Sequence, residues 1–236
     1  MTNNHPECPV IYFLFKTHKS EKEDILQANE NKLKTRPIIS ACDCPTDRVS
    51  WLITSTLTPL LKEIPAHLTN TVQLLRDIED VDLHDARMES FDVESLYTNT
   101  NNDAVVECLF QLLAKNLNSI NLLGITPSDL KQLTLACLRC NIFRFRGENY
   151  KQIRGLAMGN RLAPLLAITY MDSVERRCII RDVVLYRRYI DDILIITKED
   201  KCMDSIFSLM NSRTEEIKFT REAPNEEGWL PFLDVE

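Results

Sequence analysis

The chain has 236 residues, of which 44% are hydrophobic, and its formal net charge is −7. This length and composition predict one large domain or two lobes with a sizeable core. No apolar stretch reaches the length of a membrane span, and the N-terminus lacks the apolar segment of a signal peptide or another targeting signal. We therefore expect a soluble intracellular protein without membrane contact.

The predicted elements mix strands and helices along the chain. Strands are expected at VIYFLFK, RPIIS, MESFDV, a hairpin over NIFRFRGENYKQIR that turns at Gly147–Glu148, a second hairpin over VVLYRRYIDDILIIT, and two short stretches at the end. Helices are expected from Thr46 to Pro65, from about Asp103, after Pro127–Ser128, over 162–180 and over 201–213. A Lys-rich loop separates the first two strands. This order, with hairpins and crossovers together, favours an α+β fold over a doubly wound sheet.

Charge is unevenly distributed in this acidic chain. Nucleic-acid-binding proteins are usually basic, so the net charge argues against that class. However, residues 139–161 contain six bases and only one acid, and residues 176–188 contain five arginines and only one acid. Local basic surfaces are therefore compatible with the total, and a solvated charged face is the alternative interpretation.

Acidic residues interrupt two of the predicted apolar strands. Asp92 lies in SFDVESLYTNT, and Asp191 and Asp192 lie at the tip of the second hairpin. If the two strands are neighbours, the carboxylates converge although 99 residues (191 − 92) separate Asp92 from Asp191. Carboxylates that converge without a basic partner indicate Mg²⁺, which prefers hard oxygen ligands. The alternative is an ordinary Asp-Asp turn at the surface.

Cysteines offer a second candidate metal site, which we consider the weaker one. Cys42 with Cys44 and Cys137 with Cys140 have suggestive spacings. Structural zinc normally requires two complete half-sites, whereas Cys137 and Cys140 lie on a predicted helix. Buried free thiols are the favoured interpretation.

Four motifs in order resemble those of reverse transcriptases. YIDD resembles the YxDD box, FDVESLYTN the first catalytic motif, GLAMGNRLAPLLA the glycine-containing B motif, and RPIIS the arginine motif of the fingers. Together with KTHK at 16–19 and FLD at 232–234, the wording is most similar to Penelope-like retroelements. The resemblance implies a right-hand polymerase fold in which an antiparallel palm sheet packs on helices. Residues 1–90 would be mainly fingers with the start of the palm, and 91–236 the palm, with a fingers insertion within 101–160.

The resemblance also implies roles for individual residues. Asp92 and Asp191 would bind metal with the Val93 carbonyl, and Asp192 would assist them. The implied nucleotide-binding residues are Arg36, Lys16, Lys19, Tyr97 as a steric gate against ribose, Met158 and Gly159. Tyr189 would pack near the primer end, and Lys218 is a weaker candidate for protonating pyrophosphate.

The implied activity is RNA-directed DNA polymerisation. A dNTP would be joined to the 3′-OH of a DNA primer on an RNA template, with two Mg²⁺ ions for which Mn²⁺ could substitute, and the family resemblance suggests a nuclear location. Ala163 replaces the usual serine of the B motif, and Thr100–Asn101 replaces the usual Ile-Pro, but neither change removes a metal ligand. The family's thumb and endonuclease would lie outside this chain, so an inactive relic that at most binds nucleic acid is the alternative. A more distant alternative is an unrelated metal-dependent hydrolase.

Overall fold

The structure is a computed structural model that describes residues 6–15, 35–179 and 183–235. The strands are β1 (Val10–Phe15), β2 (Thr35–Ser40), β3 (Arg87–Glu94), β4 (Ile142–Phe145), β5 (Glu148–Lys151), β6 (Val183–Tyr189), β7 (Asp192–Thr197) and β8 (Lys218–Glu222). The helices are α1 (Asp47–Leu57), α2 (Thr71–Glu79), α3 (Leu96–Asn99), α4 (Asn102–Lys115), α5 (Pro127–Arg139), α6 (Leu162–Glu175) and α7 (Asp200–Arg213). Two 3-10 helices cover Thr58–Glu63 and Leu117–Ser119. The α+β prediction is confirmed.

The first predicted helix is shorter than the sequence indicated. Its regular part ends at Leu57, and a 3-10 helix with Pro59 in its first turn continues to Glu63. Proline lacks the N–H that an α-helix would need there, so the chain tightens at this point. The long helix α6 likewise ends at Glu175, before the predicted residue 180.

Two helices were not predicted. Helix α2 begins at Thr71 and is capped by Asn70, whose side chain accepts a hydrogen bond from the Gln73 backbone N–H at 2.9 Å. This is a capping signal that sequence inspection overlooked. Helix α3 is a single turn and is too short for a periodic signal. Of the two short strands predicted at the end of the chain, β8 forms, and the other is only an isolated bridge between Phe232 and Val235.

The exposed sheet, as we call the first sheet, has the strand order β2-β1-β4-β5. Its β4–β5 turn lies at Arg146–Gly147, one residue before the predicted position, because both residues have positive φ (51° and 88°). Such a pair fits the tight two-residue turn that hairpins favour. Rings line one face, where Phe13 meets Phe145 edge-on and Phe143 stacks on Tyr150.

The buried sheet, as we call the second sheet, has the strand order β6-β7-β3-β8 and is covered on both faces. On one face, Ile193 and Ile195 pack into the main core with the central helix α6 and with α7. On the other face, Leu194 packs into a smaller core with residues of α2 and of the C-terminal segment. Coverage of both faces explains why β7 is continuously apolar instead of alternating.

Helix α6 is almost entirely buried, with α1 and α4 packed against it, and α5 packs against α1 and α4 within the same core. Helix α5 begins as predicted, with Thr126 accepting a hydrogen bond from the Asp129 N–H and Pro127 in the first turn. Among the described residues, no helix combines the length and the apolar character that crossing a bilayer requires.

Candidate active site

Strand β3, which carries Asp92, and strand β7, which begins at Asp192, are neighbours, so the condition under which the acids converge is met. Strand β3 pairs antiparallel with β7, and the register places Asp92 directly opposite Asp192. Cross-strand partners of this kind project their side chains from the same face of a sheet. Asp191 is tied to the same place, because its carbonyl accepts a hydrogen bond from the Val93 N–H at 3.2 Å. All three acids are partly buried.

A tight turn at the tip of the β6–β7 hairpin presents Asp191. Tyr189 pairs with Asp192, so only Ile190 and Asp191 form the loop. Ile190 has a φ of 56°, which is unfavourable for a β-branched residue. Strained backbone of this kind persists only where the surrounding structure holds it.

A second residue with positive φ places Tyr97 beside the acids. Ser95 (φ 54°) ends the extended chain after β3, and α3 starts at the next residue. Burial, followed by the nearby Asp191 carboxylate, raises the pKa of Tyr97 to about 12, although the Arg36 guanidinium acts in the lowering direction. These effects require Asp191 and Arg36 to lie close to the phenol, since such interactions fall off with distance.

The loop at residues 155–160 connects β2 of the exposed sheet to α3, the helix that follows β3. The Ile39 N–H of β2 donates to the Met158 carbonyl at 2.8 Å, and the Leu156 N–H donates to the Tyr97 carbonyl at 2.6 Å. Gly159 has a φ of 110°, and a Cβ there would overlap the Ile39 carbonyl oxygen. Glycine is therefore required where this loop meets β2.

The remaining predicted residues divide into three groups. Arg36 is exposed on β2 of the exposed sheet, and Tyr189 is exposed at the end of β6, next to the turn that holds Asp191. Lys218 lies on β8, and its ammonium group donates to the carbonyls of Asn211 (3.1 Å) and Thr214 (3.4 Å) at the end of α7. Lys16 and Lys19 lie outside the described residues.

Sequence reasoning missed an ion pair behind the hairpin. The arginines before Tyr189 were counted toward a local basic surface, but the Arg188 side chain is 0% exposed and pairs with Glu175 of α6 at 2.7 Å. Arg187 pairs with Asp77 at 2.6 Å instead of forming a free basic surface. The available signal was strand alternation, since Arg188 shares its face with the buried Tyr186.

The donor set fits Mg²⁺ better than zinc. In the described part of the chain, no three His, Cys, Asp or Glu side chains are grouped so that they could hold a metal ion together, and all eight cysteines are free thiols. Structural zinc requires such a closed set. Mg²⁺ at phosphoryl-transfer sites needs only one or two carboxylates together with phosphate and water. Asp92 on β3 and Asp191 in the turn before β7 offer two carboxylates of this kind, and Asp192 lies opposite Asp92.

Solved structures with a similar fold are polymerases. The telomerase of Candida albicans, in complex with a fragment of telomeric RNA, has a TM-score of 0.63 at 12% identity over 99% of this chain and 45% of that one. The Candida tropicalis telomerase truncated from its C-terminal domain has a TM-score of 0.58 at 13% identity over 94% of this chain and 51% of that one. The bacteriophage phi12 RNA-dependent RNA polymerase has a TM-score of 0.57 at 10% identity over 91% of this chain and 40% of that one.

These likenesses confirm the right-hand polymerase fold, and the chain spans about half or less of each matched structure. A search of curated proteins gave no match. The sequence profile for reverse transcriptase (RNA-dependent DNA polymerase) matches residues 21–222, which is most of the chain. The chain therefore belongs to the reverse transcriptase family.

Proposed function

We propose that this chain carries the nucleotidyl-transfer centre of an RNA-directed DNA polymerase. The observation that carries the proposal is the pairing of β3 with β7, which brings Asp92 and Asp192 into register with Asp191 at the adjoining turn. Family membership supports the same chemistry. The substrates would be a dNTP and the 3′-OH of a DNA primer on an RNA template.

Asp92 and Asp191 would hold two Mg²⁺ ions with the Val93 carbonyl, and Asp192 would assist. When bound, the metal ions offset the charge that develops on the attacking and leaving oxygens. Mn²⁺, with similar ligand preferences, could replace Mg²⁺. The chain itself positions the carboxylates, since pairing with β7 fixes β3 and the tight turn fixes Asp191.

Arg36 and the rim of the 155–160 loop would receive the nucleotide. A guanidinium can bind phosphate oxygens in a bidentate manner, and Arg36 is exposed beside the phenol of Tyr97. We assign Tyr97 as the steric gate, Met158 and Gly159 as contacts to the nascent base pair, Lys16 and Lys19 as further phosphate contacts, and Tyr189 as the primer contact. Lys218 is the weaker candidate, because its ammonium group is already bound to carbonyl groups of α7.

We assign the chain to the Penelope-like subgroup, a retrotransposon lineage, on the motif wording described above. In that interpretation residues 1–90 are mainly fingers, and 91–236 are palm with a fingers insertion within 101–160. A nuclear location follows from the same assignment.

Primer extension tests the proposal. The full chain is incubated with poly(rA)/oligo(dT), dTTP and Mg²⁺, and Asp191→Asn is compared with wild type. Removal of this charge should lower incorporation by at least about a hundredfold, because electrostatic stabilisation of the transferred phosphoryl group is lost. Asp85→Asn is the matched control, since Asp85 is an exposed acid with positive φ that asparagine tolerates.

The outcomes separate the alternatives. Activity that persists in Asp191→Asn contradicts the site assignment. A folded wild-type chain that incorporates nothing with either Mg²⁺ or Mn²⁺ supports the alternative of an inactive chain. Hydrolysis of dTTP without primer extension supports the hydrolase.

A further inference from the structure

The pair formed by Arg188 and Glu175 is unusual because both charges are fully buried. The Arg188 side chain is 0% exposed and that of Glu175 is 1% exposed. The guanidinium binds both carboxylate oxygens, with Nε at 2.7 Å from Oε2 and Nη2 at 3.1 Å from Oε1. Burying charges is costly, and apolar replacements of a buried ion pair are often as stable or more stable. Stability alone therefore does not explain this pair.

The same guanidinium reaches the hairpin tip. Its Nη1 donates to the Ile190 carbonyl at 3.1 Å, and its Nη2 also donates to the Ile168 carbonyl of α6 at 3.0 Å. Ile190 directly precedes Asp191 and carries the positive φ of the turn. Arg188 thus connects the central helix to the strained residue that sets the direction of Asp191.

The backbone around Arg188 is fixed as well. Its N–H donates to the Ala66 carbonyl at 2.6 Å, and its carbonyl accepts from the Leu68 N–H at 2.8 Å. The Tyr186 hydroxyl donates to Glu175 Oε2 at 3.1 Å, which holds the carboxylate from the strand side. Each of these contacts joins β6 to a part of the chain outside the hairpin, either residues 66–68 or α6.

We propose that Arg188 and Glu175 are positioning residues that hold the Ile190 carbonyl and thereby fix the Asp191 carboxylate relative to Asp92. Arg188 anchors the turn, and Glu175 orients the guanidinium that does so. Neither residue touches substrate. The consequence for catalysis rests on the proposed function, whereas the anchoring of the turn does not.

The test uses two variants and one control. Arg188→Met/Glu175→Met replaces both charges by apolar side chains, so that no buried charge is left unpaired. Arg188→Lys keeps a charge opposite Glu175 but lacks the fork that binds Glu175 and Ile190 together. Arg187→Met is the control. Arg187 lies on the same strand as Arg188, and the variant loses the ion pair with Asp77 of α2, but this pair does not involve the tip.

The first measurement is hydrogen exchange of peptides that span the hairpin tip. Exchange of these amides should become about tenfold faster in both variants, because local opening is no longer opposed. Peptides from α4 and α5 should exchange as in wild type, and Arg187→Met should leave the tip unchanged. If the tip amides of either folded variant exchange as slowly as those of wild type, the proposal is overturned.

The second measurement is Mn²⁺ affinity, followed by electron paramagnetic resonance, together with primer extension. Loss of the anchor should weaken Mn²⁺ binding by about tenfold, as removal of supporting contacts around ligands typically does. It should lower kcat by about a hundredfold with little change in KM for dTTP, because the acids are misplaced while Arg36 is not. If wild type neither binds Mn²⁺ nor extends primers, the proposed function fails, and exchange at the tip still decides whether the turn is anchored.

Discussion

The two sheets of this chain are held in place in different ways. Strand β7 of the buried sheet has five of its six residues buried, whereas β1 of the exposed sheet has five of its six residues exposed. Side-chain packing on two faces fixes the buried sheet. The exposed sheet depends on strand pairing and on contacts such as that between Ile39 and Met158.

This difference matches what each sheet would have to do. Carboxylates that hold catalytic metal ions must keep a fixed geometry to within a fraction of an ångström, and the acids assigned to that role lie at the packed sheet. Arg36, assigned to a nucleotide that must enter and leave, lies on the sheet with little burial. Regions with few buried apolar contacts have low local stability, so we expect the exposed sheet to open more readily.

Truncating one phenylalanine in each sheet should give the largest difference in the free energy of unfolding. Phe91 is 1% exposed and meets Phe207 edge-on at 5.2 Å, whereas Phe13 is 48% exposed. Phe91→Ala should lower the free energy of unfolding by about 3–5 kcal/mol, because it leaves a cavity in the core. Phe13→Ala should lower it by less than about 1 kcal/mol, as for most surface positions.

Urea denaturation measures both free energies of unfolding, and the far-ultraviolet circular dichroism of each variant confirms that it is folded before denaturation. Similar losses in the two variants would contradict the contrast between the sheets.

A substitution at the junction between the 155–160 loop and β2 should give the next largest effect, which is on the KM for dTTP. Gly159→Ala introduces a Cβ that overlaps the Ile39 carbonyl, and neither backbone can yield without separating the loop from β2. We expect KM for dTTP to rise by about tenfold through displacement of Arg36 and Met158. Gly147→Ala is the matched control, because Gly147 also has positive φ (88°) but has no atom within 4 Å of the added Cβ.

Both glycine variants should lose roughly 1–3 kcal/mol of stability through backbone strain. Steady-state primer extension separates them, since only Gly159→Ala should change KM. An equal change in KM would show that strain, and not the junction, is responsible.

Sequence patterns predicted most of the framework around the acids. The apolar run after Asp192 and the run that contains Asp92 indicated two strands, and these strands, β7 and β3, pair as the convergence of the acids requires. These predictions succeeded because strands and hairpins leave local signals in apolar pattern and turn residues. The register could not be predicted from the sequence. A shift of one residue at the turn would place Asp191 instead of Asp192 opposite Asp92.

The buried ion pair shows where local patterns stop being informative. In the sequence, Arg188 follows another arginine and suggests a surface, and Glu175 occurs in the last turn of an apolar helix. Only tertiary packing reveals that the two charges meet inside the core. Charges are rarely buried without a partner, and the partner here comes from a different element.

A substitution of Tyr97 should give the smallest effect, which is on the pH dependence of the free energy of unfolding. This residue interacts with both sheets. Burial is the main cause that raises its pKa to about 12, and Asp191 and Arg36 act on it from the two sheets with opposite sign. An unfolded tyrosine has a pKa of about 10, so the folded chain binds more protons between about pH 10 and pH 12. The stability from this group is therefore fully present below pH 10 and is lost as the pH rises to 12.

Tyr97→Phe removes the ionisable hydroxyl and keeps the ring. We expect the free energy of unfolding to fall less steeply between pH 10 and pH 12 than in wild type, and the exposed Tyr12→Phe serves as control for one tyrosine fewer. Urea denaturation at several pH values measures the slopes. The preference for dTTP over UTP should survive in Tyr97→Phe, because a steric gate needs the ring and not the hydroxyl. If the free energy of unfolding of Tyr97→Phe falls as steeply with pH as that of wild type, the phenol is not held between the two sheets.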